Sequence, residues 1–434
     1  MRYLAAVLII ILGMSPVFAD ENINSYQKLT LDEAINLAVK RNLELAESER
    51  NIKVADNNIK AANRLQNPVL ETMFLGGHTS IGNPEQFGFI WPVEILKRGA
   101  RKNLAKSRKE FAVITYGDDV FELKIAVRYA YVKLATAKSL FKIIVYQEEL
   151  VDKMIYITKR RVETGAAAEI DLMRAMMIYN FLKTLHNEAQ TQIDVNLNHF
   201  NKILDLQGPQ LYDIVDDELP GEGSFFKLLT PYYKSQVLSY EEFEKIALEN
   251  RKDIKEARQK VDIAKKNLVV ITRQNIPNIE ISAGYMYMSP YQNNVIELND
   301  GDALHGYYGG LNIDLPILYR YKPEIENARL ELEQKELRLE TVIKAAKQDL
   351  RSAYAELILA RKNLSYYSEK LLKESDEIFK LTQKSYQIGK SNLSDLILVE
   401  QTNTKILIGY VNALSDYYSA WIALLDELDT EELK

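Results

Sequence analysis

The stretch Leu339-Glu-Thr-Val-Ile-Lys-Ala-Ala-Lys-Gln-Asp-Leu-Arg-Ser-Ala-Tyr-Ala-Glu-Leu357 places an apolar or small residue in alternating steps of four and three. The series continues through Ala360, Leu364, Tyr367 and Leu371, and the remaining positions are largely charged. That is the seam of a helix packed in coiled-coil fashion. From Pro323 to Leu425 there is no further proline and the only glycines are Gly389 and Gly409, so the region reads as two very long helices. The first, Pro323 to Ile388, would be roughly 100 Å long at the rise of an α-helix. Gly389, within Tyr386-Gln-Ile-Gly-Lys-Ser-Asn-Leu-Ser-Asp395, is the natural C-cap where the chain turns back, with Asp395 in the first turn of the returning helix.

Working outward, the chain repeats itself. Thr30-Leu-Asp-Glu33 and Ser239-Tyr-Glu-Glu242 are both capping boxes that open helices. Those helices close at Pro68 and Pro277, and a second proline pair, Pro92 and Pro316, shares its offset with the pair Gly165 and Gly389. A duplicated pattern of helix, β-hairpin, long helix, tip and helix follows. The first copy spans 20–206 and the second 239–434, with 207–238 as a surface connection carrying Pro209, Pro220, Pro231 and the acidic run Asp213 to Glu218. In the first copy the helices are expected over Thr30 to Gln66, Arg98 to Thr164 and Ala166 to Ile203, the two shorter ones stacking to the height of the long one.

Between the prolines the period drops to two. Ile279, Ile281, Ala283, Tyr285 and Tyr287 alternate with polar or small residues, as do Leu311, Ile313 and Leu315. The repeat offset puts Leu70, Thr72, Phe74, Phe87, Phe89 and Trp91 on the same apolar face. Four strands, aromatic on one side and polar on the other, match the signature of an outer-membrane barrel. On that reading Phe87, Phe89, Trp91, Tyr285 and Tyr287 face lipid, whereas Glu71, Glu280 and Asp314 face the lumen. A small soluble sheet packed on helices would show the same alternation.

Residues 1–19 combine Arg2, an apolar run from Leu4 to Leu12 and the small-residue pattern ending at Ala19, a cleavable secretory signal too short to span a bilayer. No later stretch is apolar enough to be a membrane helix. The chain holds no cysteine, which excludes disulfides, thiol chemistry and an acylated N-terminal cysteine, and its net charge of −6 gives nucleic acid no electrostatic support. No phosphate-cradling glycine loop or elbow serine is present, so no enzyme, cofactor or metal centre is expected. His78, His186, His199 and His305 lack ligand spacing and are expected on the surface or in hairpin loops, and Met173, Met176 and Met177 read as packing residues rather than thioether ligands.

Several short motifs occur in one order: Leu29-Thr-Leu-Asp-Glu-Ala34 with Arg41-Asn42 and Asn67-Pro68, Trp91-Pro-Val-Glu-Ile-Leu-Lys-Arg-Gly99-Ala-Arg, Tyr386-Gln-Ile-Gly389, and the tail Tyr410 to Leu425. Together they resemble the TolC family of outer-membrane efflux proteins over nearly all of the mature chain. The resemblance implies a mainly α fold with membrane β-structure: a homotrimer whose twelve strands, four per chain, close one barrel in the outer membrane above a long α-helical barrel crossing the periplasm. Closure is also what physics demands, because four strands leave two unpaired edges that hydrocarbon does not tolerate. The implied function is the exit duct of a tripartite efflux system, working with a periplasmic adaptor and an inner-membrane transporter, for example of RND type. The segment from Pro92 to Arg101 resembles the heavy-metal and cation branch, here in a non-lipidated form. Gly165 and Gly389 would mark the helix-hairpin tips, and Asp171 and Asp395, each six residues beyond its tip glycine, would ring the periplasmic gate. Read without the resemblance, they are solvated first-turn aspartates. The reading from another class is a periplasmic coiled-coil adaptor or scaffold, which would be soluble.

Overall fold

The computed structural model describes residues 26–74, 84–94, 96–204, 211–215, 239–288, 304–367 and 369–430. The expected signal segment with its cleavage site at Ala19, His78 and most of the connection 207–238 lie outside the described residues. Both capping boxes form: the Thr30 hydroxyl accepts from the Glu33 amide while the Glu33 carboxylate accepts from Thr30, and Ser239 and Glu242 repeat the exchange. Each opens a short helix, α1 (Leu31–Arg41) in the first half and α5 (Tyr240–Asn250) in the second.

Here the structure departs from the expectation of one helix up to the proline. The chain leaves helical geometry at Asn42 (φ −64°, ψ 124°) and resumes as α2 (Leu43–Ala62). In the second half it does so at Arg251 (φ −49°, ψ 125°) before α6 (Lys252–Thr272). Asn42 is itself a cap, its side chain accepting from the Leu45 amide at 2.8 Å. Arg251 is held from outside, with its guanidinium paired to Asp253 and to Glu427 at the far end of the chain.

The long helix of the first half is continuous, α3 (Lys97–Glu163), 67 residues, followed by α4 (Glu169–Ile203). Its counterpart is not. The single helix expected from Pro323 to Ile388 is two, α7 (Lys322–Tyr366) and α8 (Glu369–Gln387), parted at Tyr367 (φ −87°, ψ 55°), before α9 (Leu393–Leu428) returns. A Cβ on Gly409 of α9 would sit 2.4 Å from the Tyr367 hydroxyl and 3.0 Å from Cζ, so the tyrosine ring lies directly against the returning helix where it lacks a side chain. Ala346, Leu350, Ala353, Leu357, Ala360 and Leu364 of the quoted seam are all buried.

Strands β2 (Val69–Phe74), β3 (Pro84–Val93), β5 (Ile279–Met288) and β6 (Leu304–Ile313) form one antiparallel sheet in the order β2-β3-β5-β6, leaving β2 and β6 as its edges. A second sheet was not foreseen. Gln27–Leu29 (β1) pairs in parallel with Tyr212–Ile214 (β4). The described part of the connection therefore enters the core instead of running over the surface: Tyr212 and Ile214 are buried, the Asn201 side chain bonds both the amide and the carbonyl of Tyr212, and Asp213 pairs with Lys138 at 2.6 Å.

The main core gathers the start of α1, the middle of α3, the end of α4, α5, the middle of α7 and the C-terminal turns of α9 around Phe200, Phe243, Tyr417, Tyr418 and Trp421. A second, smaller core lies toward the helix tips. Among the described residues no helix is long and apolar enough to cross a membrane.

Candidate gate and sheet faces

The two tips are built alike. Gly165 takes φ +72° and Gly389 φ +76°. At the first, the Gly165 amide donates to Val162 O and the Ala166 amide to Arg161 O; at the second, Gly389 donates to Tyr386 O and Lys390 to Ser385 O. These are the closing bonds of a helix that ends in a left-handed residue, where a Cβ is penalised.

One side chain joins both tips. Arg161, in the last turn of α3, donates to Ala166 O of its own tip at 3.3 Å and to Tyr386 O of the other, with its guanidinium 4.7 Å from the centre of the Tyr386 ring. Tyr386 is buried, and its hydroxyl lies 2.9 Å from that of Thr158, also buried. The sequence contained Tyr386 in its tip motif, but nothing there named Thr158 or Arg161 as partners.

Asp171 and Asp395 each sit in the first turn of the helix leaving a tip, α4 and α9. They differ in their surroundings. Asp171 lies 3.8 Å from Arg174, whereas Asp395 is exposed, makes no ion pair among the described residues, and has its own amide capped by Asn392 at 2.8 Å. Met173, Met176 and Met177 are exposed on α4, which corrects their reading as packing residues within this chain.

Away from the tips the helix seams carry polar groups. Gln147 on α3 is wholly buried with no hydrogen-bond partner for either amide atom among the described residues, and Ser375 donates to Asn403 at 2.7 Å in a buried pair between α8 and α9. Burial pushes the Glu400 carboxyl above its usual range, although Thr404 donates to it at 2.9 Å. His186 lies 3.2 Å from Glu148 and stacks edge-on to Phe141, His199 is exposed, and His305 is exposed on strand β6.

A charged cluster ties the kink at Arg251 to the end of α9. Lys252 reaches Asp429 at 2.9 Å, Asp118 at 3.8 Å and Gly117 O at 2.9 Å, and packs 4.2 Å from the Phe121 ring centre. Burial lifts the Asp118 carboxyl to about 6 against the pull of Lys252, and it raises Asp426, Glu427 and Asp429 as well.

The sheet register sorts the strand residues into faces. Phe87 opposes Tyr285, Phe89 opposes Leu70 and Ala283, Trp91 opposes Ile281, and Tyr285 opposes Tyr307. Since opposed residues share a face, Phe87, Phe89, Trp91, Tyr285 and Tyr287 lie together with Leu311 and Ile313. Glu71, opposite Gly88, and Glu280, opposite Pro92 and Asn312, lie on the other face, and Asp314 follows β6 with its amide donating to Asn278 O. That second face also holds a feature missed in the sequence. Gly88, Gly284 and Tyr308 form one cross-strand row, and a Cβ on either glycine would collide with the tyrosine, at 2.1 Å for Gly88 and 2.6 Å for Gly284. Tyr308 therefore lies flat over two glycines, covering backbone they leave bare.

With this geometry in place, the comparisons with known proteins agree. Residues 245–428 match the family described as outer membrane efflux protein. The chain is 20% identical over 411 residues to the cobalt-zinc-cadmium resistance protein CzcC of Cupriavidus metallidurans, covering 94% of this chain and 91% of that one. Its fold is that of CusC, described in terms of transmembrane channel formation (TM-score 0.71, 15% identity, 93% and 92% of the two chains). It also matches the open state of the Neisseria gonorrhoeae MtrE outer membrane channel (TM-score 0.70, 16% identity, 92% and 89%). A third match is VceC of Vibrio cholerae, an outer membrane protein (TM-score 0.70, 13% identity, 92% and 96%).

Proposed function

From a chain that carries an outer membrane efflux protein domain at residues 245–428 and the fold of outer-membrane channels along its length, we propose the exit duct of a tripartite efflux system. The observation that carries this reading is the four-stranded sheet. Its aromatic face and two free edges, β2 and β6, cannot sit stably in hydrocarbon alone, and edge pairing around a threefold axis closes a barrel of twelve strands. The repeated element order supports two structural repeats, 20–206 and 239–434, joined by 207–238. The aromatic face then meets lipid, Glu71, Glu280 and Asp314 face the lumen, and the helices continue the duct into the periplasm toward an adaptor and an inner-membrane pump.

The tips form the periplasmic gate, with Asp171 and Asp395 around the opening and the Arg161–Tyr386–Thr158 contacts holding it narrow. The resistance protein that the chain resembles is named for cobalt, zinc and cadmium, which supports metal cations as the exported solute. Membrane fractionation with mass determination in detergent tests the whole reading: extraction as a trimer is expected, and a monodisperse monomer without detergent overturns it in favour of a periplasmic scaffold.

A further inference from the structure

Between β6 and α7 the chain runs Leu315-Pro-Ile-Leu-Tyr-Arg-Tyr-Lys322, and its apolar side chains are bare. Leu315, Ile317 and Tyr319 are mostly exposed and Leu318 is wholly so, at 101%. Directly after them come Arg320 and Lys322, both exposed, which make no ion pair among the described residues. Tyr319 is steered by a 2.7 Å bond to Glu324 and stacks edge-on to Tyr321, 5.3 Å between ring centres.

The segment continues the aromatic face of the sheet. Leu311 and Ile313 lie on that face and are exposed, and Leu315 extends the same alternation. A stretch that passes from leucine and isoleucine through tyrosine to arginine and lysine is graded in polarity as the boundary of a bilayer is, with acyl chains on one side and phosphates on the other. A contact with a second copy of this chain fits less well, because protein interface centres are poor in lysine and would leave both cations without a partner.

We propose that Leu315–Lys322 docks on the periplasmic surface of the membrane, with Leu315, Ile317 and Leu318 in the acyl boundary and Arg320 and Lys322 on the phosphates of anionic phospholipid. This rests on the barrel reading given above and adds a lipid contact that fixes the height of the barrel in the bilayer.

Because the chain has no cysteine, single labels can be placed cleanly. A bimane on Leu318→Cys, on Phe89→Cys or on Lys390→Cys is reconstituted into vesicles of phosphatidylglycerol and acyl-brominated phosphatidylcholine. Quenching at 89 and 318 but not at the tip position 390 is the expected result. Quenching at 89 without quenching at 318 overturns the proposal and leaves the barrel standing. Absence of quenching at 89 overturns the barrel and the proposal together. In a second arm, native mass spectrometry compares retention of phosphatidylglycerol and phosphatidylcholine by the trimer. Arg320→Glu with Lys322→Glu should lower the preference for phosphatidylglycerol by about fivefold or more per cation lost. An unchanged preference overturns the assignment of the two cations.

Discussion

Asp395 and Asp171 occupy equivalent places in the chain but not equivalent fields. Asp171 lies 3.8 Å from Arg174, whereas Asp395 is exposed and makes no ion pair among the described residues. On the proposed gate, three copies of Asp395 bind divalent cations and obstruct current, since restricted solvent strengthens each charge. In planar bilayers Asp395→Ala should therefore relieve divalent block from the tip side more than Asp171→Ala does. If Glu280→Ala relieves it and Asp395→Ala does not, the constriction lies in the barrel. Tyr386 makes a second case. Tyr386→Phe keeps the ring under Arg161 but strips Thr158 of its partner in a buried site, a loss of about 1–3 kcal/mol. Faster amide exchange confined to the tip ends of α3 and α8, which carry Thr158 and Tyr386, is the expected signature. Asp118 supplies a pH test. Its carboxyl is raised in the folded state, so its contribution to stability is full below the ordinary aspartate range and lost as pH rises through about 6. Asp118→Asn should thus raise the unfolding temperature relative to the parent above that pH, with the difference closing in acid. A constant difference across pH would mean that Asp118 titrates normally.

Elements divide by how local their causes are. The capping boxes and the tip glycines were legible because each acts within a few residues: a hydroxyl and a carboxylate three apart, or a left-handed φ that glycine alone adopts cheaply. The strand faces were legible for the same reason, since alternation is a property of consecutive residues. On the barrel reading, Phe89→Lys should cost about 2–4 kcal/mol and Glu280→Lys little. Refolding into lipid vesicles measures both, and equal penalties would refute the assignment of the faces. The break at Tyr367 had no such local sign. No proline or glycine stands there, and its partner, Gly409, lies on the returning helix. The kink at Arg251 is similar, held by Glu427 from the other end of the half.

For the molecule as a whole, the barrel reading gives the edges β2 and β6 partners in neighbouring copies, and on that reading chemical crosslinking in the membrane should stop at a trimer. The long hairpins, their turning points, the four strands and their two faces were legible from the residues alone, because seam periodicity, glycine conformation and alternation are encoded among neighbours. Packing in three dimensions sets where the long helix of the second half breaks, the pairing of β4 from the connection with β1, the cover of Tyr308 over two glycines, and the joining of both tips by Arg161. Each of these depends on side chains far apart in the chain whose meeting is set by packing, and pairing across such distances leaves no periodic trace.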